Sequence, residues 1–147
     1  MAIVTGVFVL YFALLVFLLA GWNRAMRQRE EPPLRKRPLI SIVVPVRNEE
    51  MRMWTLLENL SLQDYTPFEI IVVDDDSQDE TLWVARQSDL KNLRILQSKG
   101  RGKKEALTCG IRAAKGTIIA TTDADCLFPP QWLSHVCAEF QDPKVMM

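Results

Sequence analysis

A long apolar stretch opens this 147-residue chain, and an alternating pattern of apolar and polar positions follows it. Residues 2–22 are predominantly apolar and carry no charged side chain, and their number is close to the ~20 that a helix needs to cross a bilayer. Trp22 lies where an interfacial aromatic side chain is expected. The pattern predicts a transmembrane helix over residues 1–23. A cleaved signal peptide is the alternative, but no basic residue precedes the apolar run.

The segment after this stretch, residues 24–38, is basic and contains three prolines, so it is predicted to be a linker. Its basic residues are Arg24, Arg27, Arg29, Arg35, Lys36 and Arg37. By the positive-inside rule, this flank predicts a single-pass protein of the cell membrane whose following domain, residues 39–147, is cytoplasmic. A cytoplasmic domain keeps its thiols reduced, so we assign the three cysteines no disulfide or metal role.

From residue 39 onward, short apolar runs alternate with segments of helical periodicity. Strands are predicted at residues 39–45, 69–73, 93–97 and 117–121, and helices at residues 49–62, 79–88, 103–114 and 130–140. This alternation predicts an α/β fold with a parallel sheet. The runs 42–44 and 70–73 are apolar throughout, which is typical of central strands covered on both faces. Asn48 is predicted to cap the first of these helices, and Gly116 to end the third.

Polar residues follow three of the predicted strands directly. They are Pro45-Val46-Arg47-Asn48-Glu49 after the first strand, Asp74-Asp75-Asp76-Ser77 after the second and Asp123-Ala124-Asp125 after the fourth. In open α/β sheets, ligands bind beyond the carboxyl ends of the strands. We therefore expect these three clusters to share one edge of the sheet and to form a binding site.

Asp123 and Asp125 are separated by one residue, and a turn would bring both carboxylates to the same side. Carboxylate oxygens suit Mg²⁺ or Mn²⁺, which complete their coordination with water and substrate phosphates. The implied ligand is a diphosphate. The alternative is that Asp123 caps a turn and Asp125 is solvated.

Two further residues have a ligand-binding and a plain structural interpretation. Asp75, directly after a buried strand, can accept a hydrogen bond from a ring N–H of a pyrimidine base, or it can be a turn residue. Lys103, in a basic loop that contains Gly100 and Gly102, can approach phosphates, or the loop can simply be solvated.

Taken together, these segments resemble family 2 glycosyltransferases, which are inverting enzymes with the GT-A fold. The resemblance is carried by residues 42–49, 72–81, 102–107 and 123–125. It implies a Rossmann-like, mostly parallel sheet with flanking helices, preceded here by one transmembrane helix. It also implies metal-dependent transfer, with inversion, of a sugar from a UDP-linked donor to a hydroxyl of a lipid or glycan acceptor. Nucleic acid is not among the implied partners.

The resemblance also implies a role for each matching residue. Asp75 is similar to the carboxylate that reads uracil, and Lys103 to the lysine near the diphosphate. Asp125 is similar to the direct metal ligand, with Asp123 nearer the ribose or the metal shell. The segment that lies along the nucleotide base corresponds to Pro45, Val46, Arg47 and Glu49.

The general base that such a reaction requires is expected beyond Met147, so residues 39–147 are expected to be the donor-binding part of a longer catalytic domain. If the chain were complete, it would be a nucleotide-sugar-binding membrane module without transfer activity. A phosphorelay receiver domain is a third possibility, but it requires a phosphoacceptor Asp after the third strand, where Gln97, Ser98 and Lys99 stand.

Overall fold

A computed structural model of the chain describes residues 2–27, 37–141 and 145. The chain forms two compact units, Met1–Pro32 and Pro33–Met147. Most of the predicted linker, residues 28–36, lies outside the described residues. The sequence of residues 142–147 also predicts the beginning of a further strand, but of these residues the structure describes only Val145.

The first unit contains one helix, α1 (Ala2–Arg27), which continues four residues past the predicted end of the apolar span at Asn23. Within the described residues, it is the one helix that is long and apolar enough to cross a membrane, over Val4–Arg24. That statement rests on length and composition, and signal sequences share both properties.

The second unit contains a four-stranded sheet in which every neighbouring pair of strands is parallel, in the order β3-β2-β1-β4. The strands are β1 (Ile40–Val46), β2 (Phe68–Asp74), β3 (Leu93–Gln97) and β4 (Ile118–Thr121). The helices are α2 (Glu50–Ser61), α3 (Thr81–Arg86), α4 (Lys103–Ala113) and α5 (Trp132–Glu139). The predicted α/β class is confirmed, and each predicted element is present with bounds that differ by at most two residues.

Apolar side chains cover the sheet on both faces, as the continuous apolar runs predict. Ile42 and Val44 pack on the face that carries α2 and α5, whereas Val43 and Ile71 pack on the face that carries α4. Helix α4 lies very close to the sheet, since a Cβ at Gly110 would lie 2.3 Å from Val43 Cγ1.

Two of the predicted helix caps are wrong. Helix α2 starts after Glu49, and Asn48 adopts a left-handed backbone conformation with φ 54° outside the helix. Helix α4 ends with Ala114 as its C-cap. Gly116 is instead needed for close approach, because a Cβ there would lie 2.6 Å from the backbone nitrogen of Ser41 in β1.

A buried polar cluster at the amino edge of the sheet was not predicted. Its centre is Glu69, which is 8% exposed and accepts hydrogen bonds from Ser41 Oγ (2.7 Å), the backbone N–H of Lys115 (2.7 Å) and Arg94 Nη1 (3.2 Å). Burial alone would raise the pKa of Glu69, but these hydrogen bonds and the Arg94 charge outweigh it and hold the pKa below its usual value.

Candidate functional site

The polar segments that follow β1, β2 and β4 converge on one open cleft at the carboxyl edge of the sheet. The cleft has a volume of about 230 Å³, below the ~300–1,000 Å³ typical of pockets that enclose a small ligand, so a nucleotide sugar would extend beyond it. Its lining residues are Pro45, Val46, Arg47, Glu49, Asp75, Lys103, Asp123, Ala124 and Asp125. The structure thus brings together all the residues that the sequence predicted for donor and metal binding.

The loop between β1 and α2 is held in place by the loop between β2 and α3. The backbone N–H of Asn48 donates to Ser77 Oγ (3.0 Å), and the N–H of Glu49 donates to Thr81 Oγ1 (2.7 Å). In return, Asn48 Oδ1 accepts a hydrogen bond from the N–H of Gln78 (2.8 Å). The side chains of Ser77 and Thr81 thus satisfy the two N–H groups directly before α2, which have no partner within the helix.

Asp79 and Glu50 complete this exchange between the two loops. Asp79 Oδ2 accepts from the N–H of Glu50 (3.2 Å), and Glu50 Oε2 accepts from the N–H of Glu80 (3.0 Å). Burial tends to raise the pKa of Asp79, but the hydrogen bonds from Thr81 and Glu50 lower it below its usual value. The segment that carries Glu49 into the cleft is therefore fixed from both sides.

The three aspartates at the end of β2, Asp74, Asp75 and Asp76, have different surroundings. Asp74 is 1% exposed and accepts from the N–H of Ser77 (3.2 Å), so it forms the turn. Asp76 is exposed at φ 62°, a conformation that Asp and Asn tolerate better than most residues. Only Asp75 lines the cleft.

Asp75 is 5% exposed, and its two carboxylate oxygens have different partners. Oδ1 accepts a hydrogen bond from the backbone N–H of Gly102 (2.7 Å). Oδ2 lies 3.9 Å from Arg47 Nη1, which is beyond hydrogen-bonding distance. Asp75 therefore keeps acceptor capacity on the side of the cleft.

A turn at residues 124–125 follows β4, as predicted, and Ala124 is buried while the aspartates on either side of it are exposed. Lys103 Nζ lies 2.6 Å from Asp123 Oδ1, and both side chains are more than half exposed. The hydrogen bond to Asp123, together with the charges of Asp123 and Asp125, raises the pKa of Lys103 above its usual value.

The described residues contain no group of three or more His, Cys, Asp or Glu side chains arranged to hold a metal ion by themselves. Asp123 and Asp125 nevertheless fit Mg²⁺ or Mn²⁺, because these ions bind through one or two carboxylates and take their other ligands from water and phosphates. The exposure of both carboxylates leaves room for such ligands.

Arg52, on the first turn of α2, is a neighbour of the cleft that sequence analysis missed. Its Nη1 lies 2.9 Å from Glu49 Oε2, and Glu49, followed by the more distant Asp125, raises the pKa of Arg52. The spacing of Glu49 and Arg52 at i and i+3 was the available signal.

Several proteins of known family are similar to this chain in sequence. Over 103 residues, the chain is 37% identical to the glycosyltransferase AglE of Haloferax volcanii, an alignment that covers 67% of this chain and 34% of that protein. It is 32% identical over 107 residues to an undecaprenyl-phosphate 4-deoxy-4-formamido-L-arabinose transferase of Pseudomonas fluorescens, covering 68% of this chain and 32% of the relative. The chain thus spans about a third of the length of these curated relatives.

A solved glycosyltransferase structure is similar to this chain in fold. The mannosyltransferase PcManGT from Pyrobaculum calidifontis, in complex with GDP-Man and Mn²⁺, matches with a TM-score of 0.71 and 33% identity, covering 86% of this chain and 41% of that one. The GT-A fold is thereby confirmed. The sequence model of the family "Glycosyl transferase family 2" matches residues 41–147, which is more than half of the chain, and the chain belongs to this family.

Proposed function

We propose that this chain is the donor-binding part of a membrane-anchored glycosyltransferase that uses a UDP-linked sugar and a divalent metal ion. Residues 1–23 anchor it, residues 24–38 form the linker and residues 39–147 bind the nucleotide sugar. The observation that carries the proposal is the single cleft in which Asp75, Lys103 and the Asp123–Asp125 pair lie together. Each has the chemistry that one portion of a nucleotide diphosphate requires.

Asp75 reads the base in this proposal. Its carboxylate accepts a hydrogen bond from a ring N–H, which uracil carries and cytosine lacks. Guanine also carries a ring N–H, and PcManGT binds GDP-Man, so the test must compare both nucleotides. Pro45, Val46, Arg47 and Glu49 line the same cleft and would lie along the base.

The diphosphate lies between Lys103 and the paired carboxylates. Asp125 and Asp123 would hold Mg²⁺ or Mn²⁺, with Asp125 as the direct ligand, and the solved PcManGT complex with Mn²⁺ supports the use of a divalent metal ion. When bound, the metal supplies Lewis-acid stabilisation of the charge that develops on the departing diphosphate. Lys103 adds a positive charge to the same oxygens.

The reaction so proposed is attack by an acceptor hydroxyl on the anomeric carbon, with inversion, while the described residues hold and orient the donor. A base on the acceptor hydroxyl is also required, and none of the cleft residues is assigned that role. A lipid or glycan acceptor at the membrane is supported by helix α1 and by the relative that acts on undecaprenyl phosphate.

Calorimetric titration of the 147-residue chain in detergent micelles tests the proposal. We expect UDP to bind about 10-fold more tightly, about 1.4 kcal/mol, with Mn²⁺ than with a chelator, and more tightly than either CDP or GDP. Asp125→Ala should remove most of this gain, whereas Asp89→Ala, in the exposed loop before β3, should not. Equal UDP affinity with and without metal in the unmodified chain would refute the metal assignment, and tighter binding of GDP would reassign the donor.

A further inference from the structure

Two adjacent residues at the start of α4 contact acidic residues that follow two different strands. The N–H of Gly102 donates to Asp75 Oδ1 (2.7 Å), and Lys103 Nζ lies 2.6 Å from Asp123 Oδ1. Gly102 has φ 99°, a conformation that other residues rarely adopt, and it places its N–H toward β2. The start of α4 thus joins the carboxylate assigned to the base with a carboxylate assigned to the metal.

The position of Lys103 is electrostatically unusual. The amino end of a helix carries a partial positive charge, which favours acidic side chains in the first turn and disfavours an ammonium group. Lys103 is the first residue of α4 and is followed by another lysine. An ammonium at this point needs an anionic partner, and in the structure that partner is Asp123.

A metal ion held by Asp125 and Asp123 would compete with Lys103 for the negative charge of Asp123. Mg²⁺ binds carboxylate oxygen at about 2.0–2.1 Å, so a metal ion on this aspartate pair would bring a second positive centre close to the ammonium group. The ion pair is exposed and therefore weak, so a divalent ion can displace it. A diphosphate bound in the same cleft would offer the released ammonium new anionic oxygens.

We propose that Lys103 is a placeholder cation, which neutralises Asp123 in the empty site and transfers to the diphosphate when the metal ion takes its place. This inference rests on the proposed function. It makes metal and nucleotide binding cooperative through one side chain, beyond any direct contact between the metal and the phosphates. By linkage, each ligand then raises the affinity of the other by the same factor.

The test measures four quantities on the 147-residue chain in detergent micelles. They are the affinity for Mn²⁺ alone, from the paramagnetic resonance signal of free Mn²⁺, and the affinities for UDP alone, UDP with Mn²⁺ and Mn²⁺ with UDP. The variants are Lys103→Met, Lys103→Arg and Lys104→Met. Lys104 is the exposed next residue of α4 and does not line the cleft, so Lys104→Met controls for the loss of one nearby positive charge.

Lys103→Met should bind Mn²⁺ alone more tightly than the unmodified chain, because nothing competes for Asp123. The factor by which Mn²⁺ strengthens UDP binding should fall by about 5-fold, the low end of the range typical of coupled sites. For Lys103→Arg and Lys104→Met, both the Mn²⁺ affinity and the factor by which Mn²⁺ strengthens UDP binding should stay close to those of the unmodified chain. Since Lys103 is 61% exposed, these substitutions leave the core intact.

Weaker or unchanged Mn²⁺ binding by Lys103→Met, or an unchanged coupling factor, would overturn the placeholder role. An equal gain in Mn²⁺ affinity for Lys104→Met would also overturn it, because a general charge effect would then account for the result. Failure of UDP to bind the unmodified chain with Mn²⁺ would instead refute the proposed function. Even in that case, the affinities of Lys103→Met and of the unmodified chain for Mn²⁺ without UDP would show whether Lys103 competes with the metal ion.

Discussion

Two buried carboxylates, Glu69 and Asp75, lie near opposite ends of β2 and differ in how fully they are satisfied. Glu69 accepts hydrogen bonds from three groups, which come from β1, β3 and the segment before β4. Asp75 accepts one short hydrogen bond, from Gly102, and faces the cleft. A fully paired buried charge fixes structure, whereas one with remaining acceptor capacity is available to a ligand.

Glu69→Gln should destabilise the domain at neutral pH by about 1–3 kcal/mol, since hydrogen bonds to a charged group are lost. Because the folded-state pKa of Glu69 is lowered, its contribution is present above the unfolded value of about 4.3 and is lost as the pH falls through the folded value. Urea unfolding at pH 7 and under acid conditions should therefore show a smaller difference from the unmodified chain at low pH. Glu58→Gln, on the exposed face of α2, is the control. An equal loss at both pH values would contradict the charge argument.

Asp75→Asn should change which base the cleft prefers. The amide keeps an oxygen for the N–H of Gly102 but can place an N–H toward the ligand, which suits the ring nitrogen of cytosine. UDP affinity should fall about 10-fold or more, since a hydrogen bond to a charged group contributes about 1.5–3 kcal/mol, and the ratio of UDP to CDP affinity should fall with it. Competition binding with the two nucleotides measures this ratio. Asp76→Asn, at an exposed position beside the cleft, should leave it unchanged, and an unchanged ratio in Asp75→Asn would show that Asp75 does not read the base.

Among the secondary-structure elements, the sequence predicted what depends on local pattern. The apolar runs of β1 and β2 and the helical periodicities each correspond to the expected element, and the residues that the strand-end rule singled out line one cleft. The helix caps were predicted wrongly because their partners are distant in sequence. Glu49 is capped by Thr81, which lies 32 positions further along the chain, and no local signal marks that pair.

Thr81→Val tests whether this distant cap supports both the fold and the cleft. Thr81 is fully buried, and its hydroxyl accepts from the N–H of Glu49 and donates to Asp79. Loss of the hydroxyl should cost about 1–2 kcal/mol of unfolding free energy and should weaken UDP binding, because Glu49 is no longer fixed. Chemical denaturation and calorimetry measure the two effects. Thr81→Ser keeps the hydroxyl and should restore nucleotide binding; if it does not, the loss in Thr81→Val comes from packing.

At the scale of the whole molecule, the two edges of the sheet have separate tasks. Near the amino ends of the strands, hydrogen bonds to Glu69 connect neighbouring segments. At the carboxyl ends, the side chains that line the cleft can still bind a ligand. This separation lets the site residues lie on loops without loss of stability, because the strands that carry those loops are fixed at their other end. In the proposed function, helix α1 anchors this domain to the membrane.

We expect the domain that follows α1 to lie in the cytoplasm, because the apolar span is followed by a basic flank and carries no basic residue before it. An impermeant thiol reagent applied to intact cells should therefore leave Cys109 and Cys126 unmodified, and permeabilisation should expose them. Both thiols are partly exposed in the folded domain, whereas Cys137 is buried and carries no information. An added cysteine at the other end of the span, Ala2→Cys, should be modified in intact cells. Modification of Cys109 or Cys126 without permeabilisation, with Ala2→Cys protected, would reverse the orientation and place the nucleotide cleft away from the cytoplasmic pool of nucleotide sugars.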